Sequence, residues 1–439
     1  MSKRISFQKG LSSILFWSVI SAAFIGPGTV TTTSRAGALF QGQLLWALTF
    51  STFATILLQE TSARLTIASG KNLGEIIALQ YAGKKGKGIH WGIFLALAFG
   101  CAAYEAGNLL GALSGLGFLT SLPRPLITLV LGILCAGLLW TGNYRLIARL
   151  LGLLVAFMGA TFLYVAFFSP ITPAQLVSGA LIPHFPKGSA LLVIGLIGTT
   201  IVPYNLFLGS GIGVGQDIRE MRLGIALAVL IGGLISGGIL LAGLQIEGAY
   251  SFENLSRALT SKIGSWGTAL FGLGLFAAGL SSAITAPLAA AVAGSSLLGA
   301  GNKEAWRPGS KNFRLVWGTV LGIGVLFGML NFRPIPVIIL AQALNGFLLP
   351  FMAIFLLFAA NDRTLLGAYA NGFWANLFTL FIVGVTTLLG LHNIRLALDS
   401  VFHLFEEGAL FPVFATACLS AVLMIVLGFR VFGKEKASR

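Results

Sequence analysis

Apolar residues run through this chain in long, nearly uncharged blocks separated by short polar loops. A helix needs about 20 predominantly apolar residues to cross a bilayer. Blocks of that kind lie near 13–35, 42–63, 89–118, 125–142, 146–169, 190–214, 223–246, 265–299, 314–331, 335–360, 371–392 and 409–430. They predict twelve spans with both termini on one side, or eleven if one block is re-entrant. Two blocks carry a proline break: Ile25-Gly26-Pro27-Gly28-Thr29 in the first and Ile201-Val202-Pro203-Tyr204-Asn205 in the sixth. A proline inside a helix removes a backbone donor and clashes with the preceding turn. In hydrocarbon the freed carbonyls are tolerated only where they are buried in protein or line a polar cavity. Interruptions at matching places in two halves of a chain point to the central binding site of a carrier.

The composition agrees with an all-α polytopic membrane protein built as one transmembrane domain over residues 1–439. Of 439 residues, 56% are hydrophobic and 9% charged, against roughly 25% charged in soluble proteins. The formal charge of +15 sits in short loops rather than on a hydrophilic domain, so a nucleic-acid partner is not expected and the charge reports topology. With the N-terminus inside, segments 1–12, 64–88, 143–149, 215–222, 300–314, 361–370 and the C-terminus hold 21 of the 28 Lys and Arg. That bias places both termini in the cytoplasm, in the cell (inner) membrane if the source is bacterial. Lys84-Lys85-Gly86-Lys87 contributes most to it and reads as an anchor on anionic lipid.

Lys3, Arg4 and Lys9 before an apolar run resemble a signal peptide. The run contains the proline break and lacks a small-residue cleavage site, so it reads as a retained first span. Residues 251–263 place Phe252, Leu255, Leu259 and Ile263 at helical spacing, predicting an amphipathic helix on the outer surface. Residues 393–408, with Arg395, Asp399, Glu406 and Glu407, predict a second external cap. Cys101, Cys135 and Cys418 lie in apolar stretches without metal-ligand spacing, and His90, His184, His392 and His403 fall near loops. With no nucleophile–base pair and no metal motif, neither enzyme chemistry nor a cofactor is expected. The oligomeric state is left open, a monomer being compatible with the sequence.

Broken helices expose backbone N–H groups at half-helix starts and carbonyls in the unwound turn. Thr29, Thr31, Thr32, Thr33 and Ser34 add hydroxyls beside the first break. Thr199, Thr200, Tyr204, Asn205 and Ser210 add polar groups beside the second. Most such hydroxyls bond carbonyls of their own helix; Thr29 and Asn205, directly after the breaks, are read as site residues. Glu105 has no other carboxylate, lysine or arginine between Gly88 and Pro123. A charge at the bilayer centre costs about 2.5–3.5 kcal/mol on insertion scales, so Glu105 must be protonated, paired or facing a wet cavity, each of which suits a proton or ion relay. Asn108 shares its helix face. Glu60 precedes Arg64 by four residues and reads as one half of a structural ion pair. Arg35 either reaches the outer interface, holds an anion or pairs with Glu105. Gln342 and Asn345, one turn apart, either bridge helices or coordinate a substrate. Ser281, Ser282 and Thr285 serve close packing or line the pathway.

Several segments resemble, in order, the NRAMP family of proton-coupled divalent metal transporters. IGPGTVTTTSRAGALF resembles the family's first-span DPGN region, and LLQETSARLTIASGKNLGE the end of its second span. GTTIVPYNLFLGS resembles the sixth-span MPHN region, residues 275–290 the eighth span, and LAQALNGFLLPFMAIFLLFAANDRTLLG the tenth. The resemblance implies a LeuT-type fold: inverted repeats over 13–169 and 190–360, two additional spans over 371–430, and a site made by the broken helices 1 and 6. Gly26, Gly28, Thr29, Thr199, Val202, Tyr204, Asn205, Gln342 and Asn345 are then the substrate-binding candidates. Glu105, Asn108, Arg35 and Glu60 are the relay candidates, with Pro27 and Pro203 as the breaks. The chain departs from the family in its ligands. The family's metal-binding Asp falls on Gly26, its Asn on Thr29, its Met on Val202 and its nearby His on Tyr204.

Thioether ligands favour softer metals, and a carboxylate offsets the charge of a dehydrated ion. Without either, a bare divalent ion faces a large desolvation cost, and no residue stands out as a metal ligand. Three readings of the cargo follow. One is a divalent cation bound largely hydrated, as suits magnesium, moved by alternating access with Glu105 supplying charge. Another is a different small solute, organic or anionic, with Arg35 nearby. The last is a channel or a non-transporting sensor.

Overall fold

The computed structural model describes residues 25–437 except 82, 143–144, 213–214, 300–301 and 403–410. The described residues are helical throughout, without strands, and nine of their helices are long and apolar enough to cross a membrane. Of the predicted first span, residues 13–24 lie outside the described part. Helix α1 (Pro27–Phe40) starts at the break itself: Pro27 occupies its first turn, where a missing N–H costs nothing, and Gly26 before it is extended. A 3₁₀ turn leads into α2 (Leu45–Ser69), which ends on left-handed Gly70.

Each of the other predicted blocks coincides with a helix. These are α2, α4 (Lys84–Leu116), α5 (Arg124–Thr141), α6 (Arg145–Ala166), the pair α8 (Ala190–Thr200) and α9 (Pro203–Ile212), α10 (Ile218–Gly243), α12 (Trp266–Leu298), α13 (Lys311–Met329), α14 (Pro334–Ala360), α16 (Phe373–Phe402) and α17 (Phe411–Ala437), with α3, α7, α11 and α15 described below. Helix α2 carries Glu60, Arg64 and many hydroxyls and is the least apolar of the long ones; the apolar part of α6 is Leu150–Ala166.

Two further helices are too short to cross a membrane. They are α3 (Leu73–Gln80), closed by a capping box between Asn72 and Glu75, and α7 (Pro173–Leu181), closed by one between Thr172 and Gln175. The predicted amphipathic helix is α11 (Phe252–Ile263), capped by Ser251. Its Phe252, Leu255 and Leu259 are buried, with Phe252 against Phe271 of α12, so its apolar face packs on protein rather than on lipid. Of the cap predicted over 393–408, residues 393–402 are helical and continue α16 without interruption to Phe402, and 403–410 lie outside the described residues. No Gly or Pro separates residues 392 and 402 to end the helix there. A single turn, α15 (Arg363–Leu366), links α14 to α16.

At the centre, α4 and α12, each of 33 residues, run against one another. A Cβ on Gly279 would lie 2.5 Å from the Ala112 nitrogen and 2.6 Å from the Asn108 carbonyl oxygen. The small-residue run Ala277-Ala278-Gly279 therefore lets the two backbones touch. This contact brings the polar face of α4 alongside the first break.

Candidate functional site

The two breaks meet. The Thr29 hydroxyl, in the first turn of α1, is 2.9 Å from the Thr199 hydroxyl at the end of α8. Between α8 and α9 the helical run lapses at Ile201 and Val202, since Pro203 cannot donate and biases the residue before it toward extended backbone. Asn205 follows in the first turn of α9, and both polar atoms of its side chain are buried without a hydrogen-bond partner.

Three further helices close around these breaks. A Cβ on Gly26 would lie 3.0 Å from the Ser282 hydroxyl of α12 and 3.9 Å from the Asn108 oxygen of α4. On α14, Gln342 fills the space over Gly28: a Cβ there would fall 1.9 Å from the Gln342 nitrogen, so only glycine leaves room for the amide. A Cβ on Gly198 would likewise lie 2.1 Å from the Gln342 carbonyl oxygen. Asn108 Nδ2, Ser282 Oγ and Gln342 Oε1 are buried and unpartnered. Native interiors rarely leave such groups unsatisfied. Several stand around this one spot.

Tyr104 and Tyr204 stand beside this cluster. The Tyr104 hydroxyl donates to the Gly198 carbonyl at 2.7 Å, and the two rings meet edge to face with centroids 5.5 Å apart. Val202 is buried and contributes only apolar surface. Gln342 and Asn345 have different nearest neighbours. Asn345 faces α4, where a Cβ on Gly100 would be 2.8 Å from its oxygen, and its nitrogen reaches the Ala341 carbonyl at 3.5 Å.

Some sequence candidates have structural partners. The Thr200, Ser281 and Thr285 hydroxyls bond carbonyls of their own helices. Ser210 accepts from the Leu73 nitrogen at 2.6 Å and bonds Thr66, while Ser62 donates to the Leu206 carbonyl, tying α9 to α2 and α3. The Thr31, Thr32 and Thr33 hydroxyls are buried without partners. Ser34 donates to the Val30 carbonyl and lies 2.8 Å from the Tyr250 hydroxyl, which itself donates to the Thr31 carbonyl. Tyr250, in the loop after α10, carries no local signal of this role in the sequence. Burial pushes its phenol up, against the smaller opposing effects of the Ser34 hydrogen bond and the nearby Arg35 charge.

Glu105 is the only fully buried carboxyl among the described residues; neither oxygen has a well-formed hydrogen bond, and the Asn108 amide is the polar group beside it. Its side chain rests on α13, where a Cβ on Gly324 would lie 2.6 Å from Glu105 Cγ. No ion pair joins Arg35 to Glu105 among the described residues; Arg35 sits instead by Tyr250, with its Nε buried and unpartnered. Glu60 is paired twice, to Arg64 at 2.9 Å and to Arg222 at 2.8 Å. Arg64 also donates to the Tyr369 carbonyl and to Asn371 at 2.7 Å, so this cluster clasps α2 to α10 and to the turn after α15.

Among the described residues no group of three or more His, Cys, Asp or Glu side chains is placed to hold a metal ion. The groups around the breaks are hydroxyls, amides and backbone carbonyls, all neutral.

Comparison with known proteins places this arrangement. The profile of a family described as natural resistance-associated macrophage protein-like matches residues 18–395. The divalent metal cation transporter MntH of Verminephrobacter eiseniae is 25% identical over 393 residues, covering 84% of each chain. That of Bacillus subtilis is 27% identical over 417 residues, covering 89% of this chain and 93% of the relative. Among solved structures, a manganese transporter of Eremococcus coleocola superposes with a TM-score of 0.74 at 18% identity, covering 99% of this chain and 95% of that one. The nucleobase-cation-symport-1 family transporter Mhp1, in a closed conformation, superposes at 0.57 and 15% identity, covering 96% of this chain and 93% of that one. At these identities the structural likeness carries the fold, a helical transporter architecture of the LeuT type.

Proposed function

The chain belongs to the natural resistance-associated macrophage protein-like family, and from that membership we propose that it is a secondary transporter carrying a divalent cation by alternating access. The curated relatives are divalent metal cation transporters by name. In this reading 13–169 and 190–360 are inverted repeats that rock about the breaks, 371–430 are two added spans, and both termini lie in the cytoplasm.

The cargo we infer is a hard cation bound with much of its water, of the magnesium kind. The observation that carries this is the neutral ring at the breaks: the Thr29–Thr199 bond surrounded by unpartnered groups of Asn108, Asn205, Ser282 and Gln342. Amide and hydroxyl oxygens accept hydrogen bonds from coordinated water, and magnesium keeps several of its waters when bound. A dehydrated ion would find no carboxylate there to offset its charge. Glu105, one helical turn from Asn108, is the group we assign to proton coupling: it takes up a proton on one side of the cycle and gives it up on the other.

Uptake into proteoliposomes tests the reading. Millimolar Mg²⁺ should be transported and micromolar Mn²⁺ should not compete. Saturable Mn²⁺ uptake at micromolar levels would overturn the hydrated-ion assignment while leaving family membership intact.

A further inference from the structure

Away from the breaks, α4 and α13 part to leave an elongated groove of about 1150 Å³, closed on its inner side by the end of α12. It opens at Gly83 and Lys87 and reaches Ala102 on α4 and Ile323 on α13. From Lys87 to Ala102 is fifteen residues of helix, about 22 Å, enough to cross one leaflet of a hydrocarbon core about 30 Å thick.

The walls and the mouth differ in chemistry. Leu95, Phe99 and Leu315 on the walls are 57%, 62% and 65% exposed although they lie at membrane depth. That suits contact with acyl chains and would be costly against water. The mouth carries Lys87, His90, Asn302 and Asn312. His90 Nε2 is buried and has no hydrogen-bond partner. Helix α4 begins at this mouth with no side-chain cap at Gly83, so the positive end of its dipole faces the headgroup level. Trp91 and Trp306 stand on either side of Phe94, with ring centroids 5.7 and 6.4 Å from it. Tryptophan is enriched at this boundary between hydrocarbon and water.

We propose that this groove is a binding site for one anionic glycerophospholipid of the leaflet facing Lys87. Its phosphate sits among Lys87, His90 and the start of α4, and an acyl chain lies between α4 and α13. The chain's far end abuts Ala102 and Ile323, beside the Glu105–Gly324 contact. The lipid thus braces the helix pair that holds the buried carboxyl. The proposal does not depend on what the protein carries.

Native mass spectrometry of the full-length protein tests it, with palmitoyl-oleoyl phosphatidylglycerol or the phosphatidylcholine of the same chains added in mild detergent. A single phosphatidylglycerol adduct at least tenfold more abundant than the phosphatidylcholine adduct is expected. Lys87→Glu should bring the two lipids to parity, and Ala98→Trp, which fills the groove, should abolish the adduct. Each variant is read as monodisperse protein eluting like the wild type, and Thr319→Phe on the opposite wall replaces Ala98→Trp if the latter does not. Equal binding of both lipids by the wild type, or an adduct unmoved by the substitutions, overturns the proposal. So does labelling of Ala98→Cys, in a Cys418→Ser background, by a membrane-impermeant maleimide in native membranes.

Discussion

The hydroxyls of Thr29 and Thr199, 170 residues apart in the chain, lie 2.9 Å from one another and join the two breaks. Replacing one by valine removes this bond and sets a methyl against the remaining buried hydroxyl, at a cost of about 1–3 kcal/mol. Thr29→Val or Thr199→Val should therefore lower the melting temperature more than half as much as the double variant does. Removal of both partners is less harmful than the sum of the single changes. Melting curves of the four proteins in one detergent check this, and strict additivity would count against a direct bond.

Gly28 makes room for Gln342. In Gly28→Ala the new methyl, 1.9 Å from the amide nitrogen, has to push that side chain aside. Overpacking of this kind costs about 1–3 kcal/mol, but the amide ends a flexible side chain, so the protein should still fold. We expect KM for the cation to rise at least tenfold with a smaller change in maximal rate. Gly28→Ala with Gln342→Ala should regain thermal stability without regaining affinity, which separates a steric role from a binding one.

Glu60 is 15% exposed, Arg64 4% and Arg222 53%. Glu60→Gln strands the buried Arg64 charge and should destabilise by about 1–3 kcal/mol, below the 3–5 kcal/mol of a fully buried pair. Arg222→Ala removes only a solvent-screened partner and should cost less than about 1 kcal/mol. Thermal denaturation ranks the two, and an equal effect would contradict the assignment of Arg64 as the main partner.

Glu105→Gln keeps shape and hydrogen-bonding capacity while removing the exchangeable acid proton. Uptake driven by an imposed pH gradient should be lost, whereas uptake down the cation's own gradient at fixed pH should persist. Retention of pH-driven uptake would remove Glu105 from the coupling path. Expression and elution like the wild type are expected, since an amide replaces a carboxyl that has no ion-pair partner.

Local chemistry in the chain foretold the elements but not their meetings. Pro27 and Pro203 announce their breaks because proline acts on its own helix wherever the helix goes, and the Glu60–Arg64 pair was legible because four residues of helix fix its geometry. Asn108 and Ser282 beside Gly26, and Gln342 over Gly28, depend on how α4, α12 and α14 cross. No periodicity along one helix records that. The same reasoning explains Gln342 and Asn345: spacing put them near one face, and the neighbours of α14 sent them to different partners. Helices α3 and α7 do carry a local signal, the capping boxes of Asn72 with Glu75 and Thr172 with Gln175, but their apolar runs are too short to mark a span. The continuation of α16 to Phe402 through Arg395 and Asp399 shows that charge alone does not end a helix.

The bonds on either side of the second break belong to different neighbours. Helix α8 is fastened to α4 through Tyr104 and lies against α14 at Gly198. Helix α9 is fastened to α2 and α3 through Ser62, Thr66 and Ser210. Ile201 and Val202 are then a two-residue universal joint between half-helices hydrogen-bonded to different partners, and the groups proposed to meet the cargo stand around it. Any displacement of one anchor against the other turns these two residues first. The spacing of the polar groups around the breaks, and on the proposed reading their grip on a cargo, changes in the same stroke that reorients the half-helices.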